Sequence, residues 1–178
     1  MLFSSCIKKE KRNISQEISN WEFEHKNRWY EAEVPGNNFS DLLNHGLISD
    51  PFYGTNEDSM RWIAKKDWNY RSKFSVSENT ITKNNQILCF NGLDTYAKIY
   101  LNDSLILQTN NMFQTWRIDV SNILKEENNL LIKFNAATKI EEQKQTDLGY
   151  SFPGGERVFT RKSGFHYGWD WGAKITPT

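Results

Sequence analysis

The chain has 178 residues, which corresponds to about one domain. Its 22 Lys and Arg residues balance its 22 Asp and Glu residues, so the formal charge is zero. This balance argues against a nucleic-acid-binding protein, because such proteins need basic residues to neutralise phosphates. Aromatic residues make up 14% of the chain, and disordered chains are poor in them. The composition therefore predicts a folded domain that binds no nucleic acid.

Residues 1–18 are predicted to be a disordered tether or the remnant of a signal, and residues 19–178 the folded domain. Small residues precede Cys6, as they do at a bacterial lipoprotein cleavage site. A complete signal also needs a basic segment and about 7–15 apolar residues, which are missing here. Two interpretations stay open. Either an upstream signal is missing and the protein is a periplasmic or outer-surface lipoprotein, or the likeness is chance and the protein is cytoplasmic.

Alternation of apolar and polar residues predicts a series of short β-strands. Trp68, Tyr70 and Ser72 fall on one side of a strand that runs to Val76. Asn102-Asp103-Ser104 is typical of a hairpin turn. The other predicted strands cover 30–34, 86–90, 96–101, 105–108, 115–120 and 130–136, with a last one at 174–176 that is cut off by the chain end. Many short strands separated by turns indicate a β-sandwich or a barrel.

The predicted helices are few and short. One covers residues 40–45, with Ser40 as the N-cap and Gly46 in the left-handed closing position. Another covers residues 56–62. Residues 138–147 are polar all round, so they form either a surface helix or a loop.

The second cysteine, Cys89, lies in the apolar run 87–90. Free cysteines are among the most buried residues, so the pattern predicts a buried thiol in a strand. A disulfide with Cys6 is not expected, because Cys6 lies in the predicted tether.

Residues 148–172 differ from the rest in being rich in glycine and aromatic residues without a clear period, which is typical of a functional loop. Near its end, Trp169 and Trp171 flank Asp170. A sugar packs its C–H face on flat rings and offers hydroxyls to polar groups, and a carboxylate accepts such hydroxyls strongly. The alternative is that both tryptophans share one face of a core strand while Asp170 points to solvent.

An ordered series of short motifs resembles the N-terminal sugar-binding domain of family 2 glycoside hydrolases, of the β-mannosidase type. The string from Gly168 to Gly172, GWDWG, is its most specific part. The series consists of Val34-Pro35-Gly36, Asp41-Leu42-Leu43, Asp50-Pro51-Phe52, Asn56-Glu57, Arg61-Trp62-Ile63, Asp67-Trp68-Asn69-Tyr70 with Phe74, Asn91-Gly92-Leu93-Asp94-Thr95, Tyr100-Leu101-Asn102, Asn111-Met112-Phe113, Arg161-Lys162 and His166-Tyr167. These motifs span roughly residues 20 to 176.

The resemblance implies an all-β fold, a jelly-roll β-sandwich of the galactose-binding type with one or two short helices. It also implies a longer enzyme, in which an immunoglobulin-like domain and a (β/α)₈ barrel follow this domain, which would here be truncated at its C-terminal end. Two barrel glutamates would cleave the glycosidic bond with retention. This chain has no counterpart of them, so it is expected to contain no catalytic residue and to be inactive alone.

The resemblance also implies the substrate and the residues that bind it. The expected partners are β-mannosides or manno-oligosaccharides, besides the missing domains of the same enzyme. Asp170 would accept hydrogen bonds from the hydroxyls of the terminal mannosyl unit. Trp169 and Trp171 would frame the pocket or brace the loop. No metal or cofactor is predicted.

Two further features favour structural roles. Asn56-Glu57 resembles the acid/base signature of the barrel enzymes, but it precedes a short helical pattern, so Glu57 is expected to stabilise a helix N-terminus. Arg157, Arg161 and Lys162 form a basic cluster that is expected to brace the loop through salt bridges rather than to contact sugar.

Two other functions stay open on sequence alone. The chain could be a free-standing carbohydrate-binding module that uses Trp169 and Trp171 as a platform. It could also be an interaction domain without a sugar role, whose exposed aromatic residues form a protein interface.

Overall fold

A computed structural model describes residues 15–82 and 85–178. The strands in this part of the chain are β1 (Trp21–His25), β2 (Arg28–Ala32), β3 (Trp68–Ser75), β4 (Ile87–Phe90), β5 (Tyr96–Leu101), β6 (Ser104–Gln108), β7 (Trp116–Asp119) and β8 (Glu127–Asn135). Six of them form one antiparallel sheet in the order β2-β1-β3-β8-β5-β6, while β4 and β7 form a separate two-stranded sheet.

The large sheet buries one of its faces. On β3 the predicted alternation is confirmed, because Trp68, Tyr70 and Ser72 are buried. Directly opposite on β8, Phe134 pairs with Trp68 and Ile132 pairs with Tyr70, so the cross-strand neighbours are apolar as well. Such pairs stabilise a sheet through side-chain contact on the buried face. The sequence alternation therefore specifies which face of the sheet meets the core.

The small sheet packs one of its faces against the same core. Its inward side chains form two cross-strand pairs, Leu88 with Ile118 and Phe90 with Trp116. The sheets thus enclose a core between them, which confirms the predicted β-sandwich. Cys89 lies between Leu88 and Phe90 and therefore points outward, because successive strand residues face opposite sides. The prediction of a buried thiol is wrong, since the thiol of Cys89 is free and exposed.

The described residues contain more helix than the predicted one or two short segments. The helices are α1 (Asn38–Asn44), α2 (Asn56–Ser59), α3 (Glu78–Ile81) and α4 (Ala137–Leu148), with 3₁₀ turns at Ile63–Lys65, Glu156–Phe159 and Gly164–Tyr167. The segment left open as helix or loop is α4, which has 12 residues and ends at Gly149 with φ of +67°. Although the sequence of α4 is mostly polar, one side of the helix faces the interior, where Ala137 and Glu141 are buried.

The predicted N-cap of α1 is wrong. Asn37 caps the helix instead, since its side-chain oxygen accepts the backbone N–H groups of Phe39 at 3.0 Å and Ser40 at 3.1 Å. Asn37 has extended backbone angles, as an N-cap requires, whereas Ser40 already lies inside the helix. The left-handed Gly46 is confirmed by its φ of +64°.

The hairpin turn is also confirmed. Asn102 and Asp103 connect β5 to β6 and have φ values of +49° and +67°, the left-handed pair that a two-residue turn requires. The amide of Asn102 donates to the backbone carbonyl of Ile123 and to the side chain of Asn128. The turn is therefore tied to the neighbouring part of the sandwich.

The predictions for the two ends of the chain have separate outcomes. Residues 1–14 of the predicted tether, including Cys6, lie outside the described residues. Within residues 15–18, Gln16 donates to the carbonyl of Ser75, and Ile18 packs against the core. At the other end, the strand predicted at 174–176 is wrong, because that segment makes no strand pairing. Across the described part of the chain, no helix is long and apolar enough to cross a membrane.

Candidate functional site

The three residues singled out by the sequence lie on one tight turn. The backbone N–H of Gly172 donates to the carbonyl of Trp169, so Asp170 and Trp171 occupy the two central positions of a four-residue turn. Trp169 is 67% exposed and Trp171 is 96% exposed. The alternative in which both indoles belong to a core strand is therefore wrong.

Gly168 and Gly172 enable this turn in different ways. Gly168 has φ of +109°, a backbone conformation that favours glycine, and a Cβ there would lie 3.0 Å from the side chain of Lys174. A Cβ on Gly172 would lie 3.0 Å from the carbonyl oxygen of Trp169, which is the acceptor that closes the turn. The glycines thus let the turn form close to the following segment.

A shallow cleft of about 540 Å³ lies beside the turn. It is lined by Phe52, Phe165, His166, Trp169, Gly172, Ala173, Ile175 and Pro177. Trp169 therefore faces the cleft, whereas Asp170 and Trp171 are exposed on the turn and are not part of its wall. Most of the lining is apolar, and the imidazole of His166 is its one titratable side chain.

A buried ion pair holds the start of the loop. The ammonium group of Lys162 donates to Oδ2 of Asp94 and, at 2.6 Å, to the carbonyl of Pro177. The Lys162 side chain is only 1% exposed. Burial lowers the pKa of Lys162, while the Asp94 carboxylate opposes that shift. Nδ1 of His166 lies 3.1 Å from the same Asp94 oxygen. Asp94 therefore joins two positions of the loop that leads to Asp170.

A second buried carboxylate anchors the middle of the loop. Tyr167 donates its hydroxyl hydrogen to Oε1 of Glu141, which is fully buried on α4. Burial raises the pKa of Glu141, and the hydroxyls of Thr160 and Tyr167 partly offset that shift. The pKa of Tyr167 is raised by its own burial and by Glu141. This contact fixes the loop against the helix three residues before Asp170.

The segment after the turn is held by the short helices. Glu57 lies in the first turn of α2, at the helix N-terminus where it was predicted. Its carboxylate also accepts the backbone N–H of Lys174 at 3.0 Å, a contact with the segment after the turn that the sequence did not predict. Asn38 of α1 accepts the N–H of Thr178 and donates its own N–H to the carbonyl of Thr178. The loop is therefore anchored on both sides of Asp170.

The basic cluster behaves only partly as expected. Lys162 braces the loop through Asp94, as predicted for a salt bridge. Arg161 contributes through its backbone, since its carbonyl accepts the N–H of Met112 at 3.0 Å. Arg157 donates to the carbonyl of Gly154 at 3.0 Å, a local contact within the loop.

Sequence reasoning missed the two residues that hold the loop, Asp94 and Glu141. Asp94 lies within a motif that carried the family resemblance, but its partners His166 and Lys162 are about 70 residues away in sequence. Glu141 lies in a segment whose polar residues suggested a solvated surface. In both cases the partner is brought close only by the tertiary fold, so local patterns carried no signal for the pairing.

A second cleft, of about 590 Å³, lies near the start of the large sheet and includes His25, Trp62 and Lys66 in its lining. His25 is buried and its ring stacks on Trp68, with centroids 6.0 Å apart. Burial and the nearby Lys66 lower the pKa of His25. These contacts give His25 a packing role in the core.

The turn offers a hydrogen-bond acceptor next to aromatic side chains. The exposed carboxylate of Asp170 has no hydrogen bond or ion pair with any described residue, and the adjacent cleft offers aromatic faces. Among residues 15–82 and 85–178, no group of three or more His, Cys, Asp or Glu side chains is placed to hold a metal ion. An acceptor beside aromatic faces suits a ligand that has both hydroxyls and C–H surface.

Comparisons with known proteins identify the family of the chain. The family model described as glycosyl hydrolase 2 galactose-binding domain-like matches residues 21–178. Beta-mannosidase B of Thermothelomyces thermophilus is 36% identical over 170 residues, which are 88% of this chain and 19% of the relative. Beta-mannosidase of Rattus norvegicus is 36% identical over 152 residues, 79% of this chain and 17% of the relative. The chain thus spans about a fifth of the length of these relatives.

The fold itself matches a solved enzyme structure. The crystal structure of β-D-mannosidase from Dictyoglomus thermophilum superposes with a TM-score of 0.85 at 37% identity. The match covers 90% of this chain and 21% of that chain. The predicted galactose-binding-like sandwich is therefore confirmed by the family model and by this structure.

Proposed function

Because the chain belongs to the glycosyl hydrolase 2 galactose-binding domain-like family, we propose that it is the N-terminal domain of an exo-acting β-mannosidase. In this proposal the turn from Trp169 to Gly172 contributes to the pocket for the terminal mannosyl unit. The exposed Asp170 carboxylate beside an aromatic cleft is the observation that carries it.

In this proposal the carboxylate of Asp170 binds the hydroxyl groups of the sugar. A carboxylate accepts two or more hydroxyl hydrogens, and hydrogen bonds to a charged group are each worth about 1.5–3 kcal/mol. The Asp170 carboxylate is available for this contact because it forms no hydrogen bond or ion pair with any described residue. The anchors at Asp94 and Glu141 hold the loop before the sugar arrives, which reduces the entropy lost on binding.

The tryptophans have separate roles in this proposal. The indole of Trp169 lines the cleft together with Phe165 and Phe52, so it offers a flat surface to the C–H face of a pyranose. Trp171 is almost fully exposed at the turn and lies outside the cleft wall. It is expected to contact the catalytic domain or the rest of the substrate.

Bond cleavage belongs to the longer enzyme. Retaining hydrolysis needs two carboxyl groups on either side of the glycosidic bond, one as acid/base and one as nucleophile. We expect both on a (β/α)₈ barrel that follows an immunoglobulin-like domain, and the length of the relatives leaves room for them. The chain alone is therefore expected to hydrolyse no β-mannoside.

The test is to read the gene downstream of the Thr178 codon and to express whatever frame continues. The longer protein is expected to hydrolyse p-nitrophenyl β-D-mannoside faster than the matched glucoside, galactoside and glucuronide, while residues 1–178 release no nitrophenol. A stop codon after Thr178 would favour a free-standing carbohydrate-binding module. A longer enzyme that prefers another glycoside would contradict the mannosyl assignment.

A further inference from the structure

The carboxylate of Asp94 uses both of its oxygens inside the domain. Oδ1 accepts the hydroxyl of Thr95, and Oδ2 accepts the ammonium group of Lys162. The same Oδ2 lies 3.1 Å from Nδ1 of His166. Since an ionised carboxylate can only accept, Nδ1 of His166 must carry the hydrogen of this bond. Asp94 therefore determines the tautomer of His166.

The tautomer leaves the other ring nitrogen as an acceptor. A neutral imidazole has one N–H, so with the hydrogen on Nδ1 the lone pair is on Nε2. Burial lowers the pKa of His166, and the nearby ammonium group of Lys162 lowers it further, while Asp94 opposes the shift. These effects favour the neutral ring at pH 7. Within the described residues, no group forms a hydrogen bond with Nε2.

The ring that carries this acceptor belongs to the cleft. His166 lines it beside Phe165, whose ring centroid is 4.7 Å away in an edge-on arrangement. Trp169, the residue before Asp170, lines the same cleft. The remaining walls are apolar, so a hydroxylated ligand seated there has few protein acceptors to replace its water.

We propose that His166 is a sugar-binding residue, whose Nε2, kept unprotonated by the Asp94 bond to Nδ1, accepts a hydrogen from a sugar hydroxyl in the cleft. This inference rests on the proposed sugar-binding function. His166 adds an acceptor on the cleft wall to the one that Asp170 supplies on the turn. Asp94 is a positioning residue, because it acts only through the imidazole.

The first test needs no sugar. Long-range ¹H–¹⁵N NMR of the labelled chain at pH 7 reports which ring nitrogens carry hydrogen. His166 is expected to have an unprotonated Nε2. His45 and His25 are internal controls with the opposite pattern, since Nε2 of His45 lies 2.7 Å from the carbonyl of Glu31, and Nδ1 of His25 faces the ammonium group of Lys66 at 3.4 Å. A protonated Nε2 on His166 would overturn the proposal.

The second test adds methyl β-D-mannoside to the same sample. The Nε2 signal of His166 and the indole N–H signal of Trp169 are expected to shift together, with the His45 signals unchanged. His166→Phe keeps a ring but removes the acceptor, and it is expected to weaken binding roughly tenfold. His45→Phe is the matched control and should leave the affinity unchanged.

The outcomes separate this inference from the proposed function. If the Trp169 signal shifts while Nε2 of His166 does not, sugar enters the cleft without using His166, and only the inference fails. If neither signal moves at the highest soluble sugar concentration, the inference also fails. The proposed function is decided independently by the glycoside assay on the longer reading frame.

Discussion

Tyr167 on the loop donates its hydroxyl hydrogen to the fully buried carboxylate of Glu141 on α4. The two residues are separated by 26 positions in the chain, and their contact fixes the loop three residues before Asp170. Burying a carboxylate is unfavourable unless it is hydrogen-bonded. The contact therefore couples the stability of the domain to the position of its candidate site.

Removing the donor is expected to destabilise the domain. Tyr167→Phe keeps the ring but leaves the Glu141 carboxylate without this bond, which should lower the free energy of unfolding by about 1–3 kcal/mol. Urea unfolding followed by far-UV circular dichroism measures the change. Tyr53→Phe is the control, because Tyr53 is exposed and its hydroxyl bonds to no described residue. Equal stability of the two variants would show that the contact contributes nothing.

Glu141 also predicts a pH dependence. Its pKa is raised above 4.5 in the folded state, so the folded protein retains this proton to a higher pH than the unfolded chain. Its contribution to stability is therefore complete below about pH 4.5 and is lost as the pH rises through the folded-state value. Glu141→Gln is expected to remove this loss of stability. The free energy of unfolding of the wild-type protein and of the variant, measured from pH 4 to pH 8, would test this.

The difference in the free energy of unfolding between the wild-type protein and Glu141→Gln, followed over pH, isolates the contribution of Glu141. Other groups change the shape of both curves alike, in particular His25 and His166, whose lowered pKa values make stability fall as the pH drops below 6.5. The free energy of unfolding of the wild-type protein relative to Glu141→Gln should fall as the pH rises. A difference that stays constant with pH would mean that Glu141 titrates alike in both states.

Breaking the ion pair at the start of the loop should cost more. Lys162→Met leaves Asp94 without its ammonium partner in a mostly buried site, and removing one member of a buried pair destabilises by about 3 kcal/mol or more. Thermal and urea unfolding would measure the loss. Lys125→Met at an exposed position is the control. Unchanged stability of the Lys162 variant would contradict a structural role for the pair.

The sequence predicts the sandwich well because strand alternation is a local signal. Trp68, Tyr70 and Ser72 alternate in the chain and are buried in the fold, and Asn102-Asp103 forms the expected turn. Cys89 was wrongly predicted to be buried because a short apolar run does not reveal which of its residues face outward. The strand pairing in the fold decides that question.

The site is predicted less completely than the fold. The motif around Asp170 is a local pattern, and its exposure on a turn is compatible with the role that the resemblance implied. Asp94 and Glu141 act through residues distant in sequence, so no spacing in the chain predicts them as the loop's supports. Contacts of this kind depend on how α4 and the β4–β5 connection are packed, which is a tertiary property.

The most direct test of the central claim is the kinetic effect of Asp170→Asn in the longer β-mannosidase that is proposed to contain this domain. The value of kcat/KM for p-nitrophenyl β-D-mannoside is expected to fall at least about 100-fold, about 2.7 kcal/mol. Tm is expected to stay unchanged, because the exposed Asp170 side chain forms no hydrogen bond or ion pair with any described residue. Asp103→Asn, an exposed aspartate that also has positive φ but lies in the β5–β6 turn, should keep wild-type kinetics. A stable Asp170→Asn enzyme with wild-type kcat/KM would remove Asp170 from the sugar site.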